Sequence, residues 1–183
     1  LSDPYKIYAR KILGLKELQA VDAPAGAAHR GNLLHDLFEQ LIRDGRHLGD
    51  TIADDIMSYA KAAEADFPGG ASVMRFWQAR LQAVADWFAD YETLRRADIA
   101  DSVVEETGRL PLSIDGQDFT ITAKADRIDK LTDGSYAVID YKTGAVPSQK
   151  SVAEHLAPQL TLEAVILQAG GFAEHGLPPA PVK

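Results

Sequence analysis

The chain has 183 residues, a formal net charge of −8, 46% hydrophobic and 25% charged residues, and no cysteine. These are values of a globular domain long enough for a sizeable core. No apolar run is long enough to span a bilayer. Without cysteine the chain itself carries no disulfide framework, thiolate zinc site or iron–sulfur cluster, which fits a cytoplasmic setting. The acidic balance argues against a general polyanion-binding surface, although a local basic patch or bound cations can still meet phosphates.

The first residues, Leu1-Ser2-Asp3-Pro4, carry no signal-peptide pattern and read as the start of a fragment of a longer polypeptide. Tyr5, Tyr8, Ile12 and Leu15 have helical spacing, with a stop near Gly14, and residues 21–31 read as a loop. From Gly31 an amphipathic helix is predicted, with Leu33, Leu34, Leu37, Phe38, Leu41 and Ile42 on one face, Asn32 as cap and Gly45 as stop. A second helix is predicted over about 50–64 and, after Phe67-Pro68-Gly69-Gly70, a long one over about 71–97. Trp77, Trp87, Phe88 and Tyr91 in the latter read as core.

At Ile99 the pattern changes to alternation. Strands are predicted near 102–107, 109–114, 118–129 and 135–142, with Asp115-Gly116 and Asp133-Gly134 as antiparallel turns. A last helix is predicted over about 149–169, carrying Leu156, Leu160, Leu162, Ile166 and Leu167. The order gives an α+β class in one domain, 1–183: a mainly helical region over 1–98, a sheet with its following helix over 99–171, and a Pro-rich tail over 172–183. No internal repeat or low-complexity segment interrupts it.

The chemistry concentrates on two strand ends. Asp126 closes Thr120-Ile121-Thr122-Ala123-Lys124-Ala125, and Asp140 closes Tyr136-Ala137-Val138-Ile139 just before Tyr141-Lys142-Thr143-Gly144. A two-residue turn at Asp133-Gly134 pairs residues whose numbers sum to about 267. That sets Asp126 opposite Tyr141 and Asp140 opposite Arg127, with the carboxylates near each other at one end of the sheet. Adjacent carboxylates suit a hard divalent cation, and Lys142 shares a strand face with Asp140, where an ammonium can act on a nucleophile or on phosphate charge. Ordinary ion pairs account for the same spacing equally well. His35 alone reads as a surface or core histidine. Glu105 and Glu106 fall on opposite strand faces, either solvated or with one of them near a metal. Arg95, Arg96, Arg127 and Lys150 read as solvated charges or phosphate contacts. His29, His47, His155 and His175 carry no signal.

Three stretches taken together, Gly31 to Leu41, Ala123 to Gly144 and Ala157 to Ala164, resemble the PD-(D/E)XK nucleases. They are most similar to the RecB-like nuclease domain at the C-terminus of AddB, a component of a bacterial helicase–nuclease of double-strand break repair. The resemblance implies a restriction-endonuclease-like core, a central mixed β-sheet flanked by helices, with an N-terminal helical region. It implies metal ligation by His35, Asp126, Asp140 and the Tyr141 backbone carbonyl. It gives Lys142 a catalytic role and Gln159 the positioning of substrate or lysine. It further implies Mg²⁺, with Mn²⁺ able to substitute, in-line attack of a water on the phosphorus of DNA single-strand ends, and a helicase partner of the AddA type. The sequence departs from the family at Glu163, where a tyrosine is usual, and at Ala123, where glycine is usual. It also lacks the four cysteines of an iron–sulfur cluster, and it stops where a further edge strand would begin. A non-cleaving DNA-binding or scaffolding module is the alternative reading, and the intact Asp126, Asp140 and Lys142 argue against it.

Overall fold

The computed structural model describes residues 5, 8–15, 26–153 and 157–183. Tyr8–Ile12 form a π-helical turn where the spacing predicts an α-helix. Residues 21–25 of the predicted 21–31 loop, and His155 and Leu156, lie outside the described residues, and residues 27–31 of that stretch are helical.

Helix α1 spans Ala27–Arg43 and starts earlier than the Asn32 cap predicts. Ala27 and Ala28 are strong helix formers, and His29 Nδ1 accepts the Gly26 N–H at 3.2 Å, so the helix extends back to Gly26. Gly45 does follow the helix end, in the left-handed region at φ 68. Helix α2 covers Ile52–Ala62 and helix α3 Gly70–Arg95. The three bury a common core that includes Leu37, Phe38, Leu41, Ile56, Trp77 and Phe88. Trp77 and Phe88 are core, as expected, and Trp87 is not: it is 55% exposed. The buried stripe of α3 runs Met74, Trp77, Leu81, Ala85, Phe88, Glu92, and position 87 lies one step off it. Among the described residues, no helix is long and apolar enough to cross a membrane.

Strands β1 (Ile99–Ile114), β2 (Gln117–Leu131) and β3 (Tyr136–Ile139) form an antiparallel sheet in that order. The two strands expected over 102–114 are one. Gly108 does not turn the chain. Its missing side chain makes room for the Phe172 ring, which would lie 2.3 Å from a Cβ there. Beyond β3 the tail is ordered against the sheet. Val182 bridges Tyr136 in parallel, the Tyr136 N–H donates to Pro181 O at 2.8 Å, and Lys183 N–H donates to Tyr136 O at 2.9 Å. The sheet is thus flanked by helices and antiparallel throughout its described strands, and the mixed sheet the resemblance implies is represented only by this single parallel bridge.

The β2–β3 register differs from the expectation by one residue: Arg127 pairs with Ile139 and Ile128 with Val138. The connection is a three-residue loop, with Leu131 N–H on Ser135 O at 2.8 Å and Gly134 at φ 85. A left-handed third residue suits that longer loop. One further step in this register brings Asp126 opposite Asp140 instead of opposite Tyr141. Such a slip exchanges the faces of every side chain on the partner strand.

The last helix is broken. Helix α4 covers Gln149–Ala153 and helix α5 covers Gln159–Gln168, with Pro158 at the N-cap of the second. Proline lacks an N–H and disfavours helix in the residue before it. Ile166 and Leu167 are fully buried with Ala125, Ile128, Tyr136, Phe172 and Leu177 in a second core. Leu160 and Leu162, also on this helix, are 37% and 38% exposed.

Candidate active site

The site begins at an irregularity in the β1–β2 ladder. Val104 pairs with Arg127 and Glu106 with Ala125, so Glu105 and Asp126 face each other across a gap. Glu105 sits at φ 59, outside the range a non-glycine residue ordinarily adopts. Ala125 and Ile128 both pack into the second core although they are three apart, so the alternation slips at Asp126. Asp126 then meets α1 and Arg127 meets α3. Unusual backbone of this kind costs on the order of 1–3 kcal/mol and persists where the surroundings hold it.

Four ligand-type side chains converge there. His35 Nδ1 lies 3.4 Å from Asp126 Oδ2, and donor atoms of His35, Glu105 and Asp126 all lie within 4.8 Å of one another. Asp140 reaches Asp126 closely enough to hydrogen-bond when one of them is protonated. The Tyr141 backbone N–H donates to Asp126 Oδ2 at 2.9 Å. Burial is the main force raising the Asp126 pKa above its ordinary value, and Asp140 adds to it. The Tyr141 N–H and His35 pull it back. Glu105 also pairs with Lys124.

Lys142 lies on the other side of Asp140. Its Nζ donates to Asp140 Oδ1 at 2.6 Å and to Gln159 Oε1 at 3.3 Å, while Gln159 Nε2 donates to Asp140 Oδ1 at 3.0 Å. The break at Pro158 is what puts Gln159 on the first turn of α5, facing this pair. One turn later Glu163 is 1% exposed, and its Oε2 has no hydrogen-bond partner. Burial raises its pKa to about 7, against a hydrogen bond from Gln159 that lowers it.

Glycine has a local task at Gly31, one turn before His35. A Cβ there would lie 3.2 Å from Thr143 Oγ1, so α1 can approach the Lys142-Thr143-Gly144 turn closely.

Behind the site lies a buried charge network. The Arg127 guanidinium is fully buried, with Nη1 on Glu92 Oε1 at 2.6 Å, Nη2 on Glu92 Oε2 at 2.9 Å and Nε on Asp129 Oδ1 at 2.5 Å. Arg95 Nη2 donates to Asp129 Oδ2 at 2.7 Å, and Ser102 Oγ to Asp129 Oδ1 at 2.6 Å. Arg127 Nη1 also reaches the Tyr141 hydroxyl at 3.2 Å. Two arginines thus face two carboxylates, which is the pairing that buried charge requires. Arg127 and Arg95 are therefore not the phosphate contacts that the sequence allows. They pin α3 to β2 and fix the ring of Tyr141. Arg96 pairs with Asp50 at the surface.

The expected site residues His35, Asp126, Asp140, Tyr141, Lys142 and Gln159 come together in one place. The sequence leaves Glu105 undecided, and here it stands in the cluster, while Glu106 pairs with His175 at 2.9 Å on the other face. Burial of Glu163 and the charge network go beyond what the sequence reading reaches. A signal for the network is present: Glu92 continues the apolar stripe of α3, and a charge at such a position demands a buried partner.

The donor set suits a hard divalent cation, with carboxylate oxygens dominating and one imidazole.

Residues 2–182 match the family model of the PD-(D/E)XK nuclease superfamily. An uncharacterised protein of Rickettsia conorii is 30% identical over 195 residues, covering 95% of this chain and 21% of the relative. An uncharacterised protein of Rickettsia felis is 29% identical over 177 residues, covering 94% of this chain and 21% of the relative. The B-type subunit of an ATP-dependent helicase/deoxyribonuclease of Streptococcus agalactiae is 28% identical over 156 residues, covering 79% of this chain and 13% of the relative. The chain belongs to the PD-(D/E)XK nuclease superfamily, and its helix-flanked sheet is in keeping with the restriction-endonuclease-like fold. Nucleases of this superfamily generally use divalent metals. The chain spans about a fifth of the length of the first of these relatives.

Proposed function

We propose that the chain is a divalent-metal-dependent deoxyribonuclease that hydrolyses phosphodiester bonds. The observation that carries this is the cluster of His35, Glu105 and Asp126, with Asp140 against Asp126 and a lysine held on Asp140 and Gln159. An isolated surface ion pair would need neither the second carboxylate nor the glutamine. Asp126, Asp140, His35 and the Tyr141 carbonyl would hold Mg²⁺, with Glu105 as a further donor. The imidazole makes Mn²⁺ an acceptable substitute. When bound, such a cation supplies Lewis-acid stabilisation of charge on the phosphate.

The chain's own residues supply the rest. Lys142 orients the attacking water or helps remove its proton, and its ammonium meets the charge that develops on the phosphate. Gln159 holds Lys142 and Asp140 in their relative places. The buried Arg127 network keeps Tyr141, and so the Asp140-Tyr141-Lys142 turn, from shifting. Helicase/deoxyribonuclease relatives support a finer reading. The domain would be the nuclease module of a cytoplasmic helicase–nuclease of the AddB type, trimming single-strand ends beside an AddA-like partner during recombinational repair of double-strand breaks.

Single-turnover cleavage of an end-labelled single strand, with Mg²⁺ or Mn²⁺, tests the proposal. Asp140→Ala should abolish cleavage and leave metal-free stability level or higher, because it removes one of two adjacent carboxylates. A variant that still cuts, or that loses several kcal/mol in chelator, would show Asp140 to be structural.

A further inference from the structure

A groove of about 970 Å³ opens between α1, α3 and the segment leading into α5, with Asp140, Lys142 and Gln159 at its wall. Its charged lining is unlike the rest of the molecule. Among the described residues, Arg30, Arg80 and Lys142 line it against the single acid Asp140, in a chain of net charge −8. Positive charge gathered in one concavity of an acidic protein focuses anions there.

The wall formed by α3 carries an exposed aromatic platform. Trp87, 55% exposed, stacks on Tyr91 with ring centroids 5.6 Å apart and planes at 16°. The Arg95 guanidinium lies 4.8 Å from the Tyr91 centroid, and Arg95 is tied to the buried Asp129 at 2.7 Å. Positions 87, 91 and 95 are successive turns of one helix, so the ladder is anchored at its foot in the network behind the site. A large aromatic face exposed to water is ordinarily mobile, and this one is held flat in advance, which lowers the ordering cost of a stacking ligand. Opposite, Arg30 is held 4.9 Å from the Trp77 centroid.

We propose that this groove is a nucleotide subsite. A base of a single strand stacks on the free face of Trp87, Arg30 and Arg80 meet the flanking phosphates, and the strand continues to Lys142. Stacking platforms beside cationic side chains bind single strands without sequence preference, because every base has a π-face. The proposal rests on the nuclease reading for the direction of the strand. The platform and its charges stand on their own geometry.

The test is equilibrium binding of a fluorescein-labelled single-stranded oligonucleotide in chelator, beside KM for its cleavage. Trp87→Ala should weaken binding and raise KM at least about 10-fold, and Trp87→Phe should restore most of it. The loss should vanish for a strand of abasic sites, which has phosphates but no base to stack. Phe76→Ala and Leu94→Ala, on the exposed side of α3 outside the groove, should change neither quantity. The proposal is overturned if Trp87→Ala binds like wild type, or if it weakens abasic strands as much. It is also overturned if its effect is confined to protein stability, which would mark Trp87 as structural. A wild type that cuts while Trp87→Ala binds normally would remove the subsite and leave the nuclease reading. A wild type that binds through Trp87 and never cuts would do the reverse.

Discussion

Glu163 is buried one turn after Gln159, and its environment fixes what it can do. Its pKa is raised by burial from an ordinary 4.5 to about 7, so the folded chain retains a proton that the unfolded chain releases. The stability this contributes is full below about 4.5 and is lost as pH rises to about 7, by ~3.5 kcal/mol in all at about 1.4 kcal/mol per unit. Glu163→Gln, neutral and of the same shape, should therefore match wild type at pH 4 and exceed it by that amount at pH 8. Urea unfolding in chelator measures it, and parallel profiles for the two proteins would refute it. Arg127 is the opposite case, a charge whose burial is fully answered by Glu92 and Asp129. Arg127→Met leaves two buried carboxylates with Arg95 as their one remaining cation and should cost ~3–5 kcal/mol. A loss below about 1 kcal/mol in the same assay would mean that water reaches the network.

At the scale of elements, close approaches decide the geometry. Gly108 lets the fully buried Phe172 ring lie against β1, and a Cβ would sit 2.3 Å from it. Gly108→Ala should cost ~1–3 kcal/mol by overpacking. Adding Phe172→Leu should recover some of that, because the two changes share one contact. Strict additivity by denaturation would contradict the packing account. Nothing in the sequence marks Gly108 as a packing residue, so sequence reasoning divides the strand there. The helices α1 to α3 are legible because their apolar periodicity continues over several turns. Their ends are less so: the start of α1 turns on a His29 cap that no propensity announces. The one-residue register error has the same origin, since Asp133-Gly134 also serves a three-residue loop. Pro158 is visible, but the surrounding apolar residues mask the break it makes.

At the scale of the molecule, the candidate site residues sit between two cores. α1 brings His35 from the helical side, β1 and β2 bring Glu105 and Asp126, and α5 brings Gln159 from the side of the second core. The meeting of Asp126, Asp140 and Lys142 is legible because strand ends close in sequence must be close in space. The arrival of His35 and Gln159 is legible only through resemblance, since tertiary packing alone unites residues so far apart. Glu105 needs the gap in the ladder, which sequence does not show. The central claim is that Asp126 belongs to a cation site and that Lys142 acts beside it without holding the metal. Calorimetric Mn²⁺ titration of wild type, Asp126→Ala and Lys142→Ala tests this most directly. Wild type should bind, Asp126→Ala should lose binding, and Lys142→Ala should bind as well or slightly more tightly, because a nearby positive charge is gone. Undiminished binding by Asp126→Ala, or none by wild type, would return Asp140 and Lys142 to an ordinary ion pair.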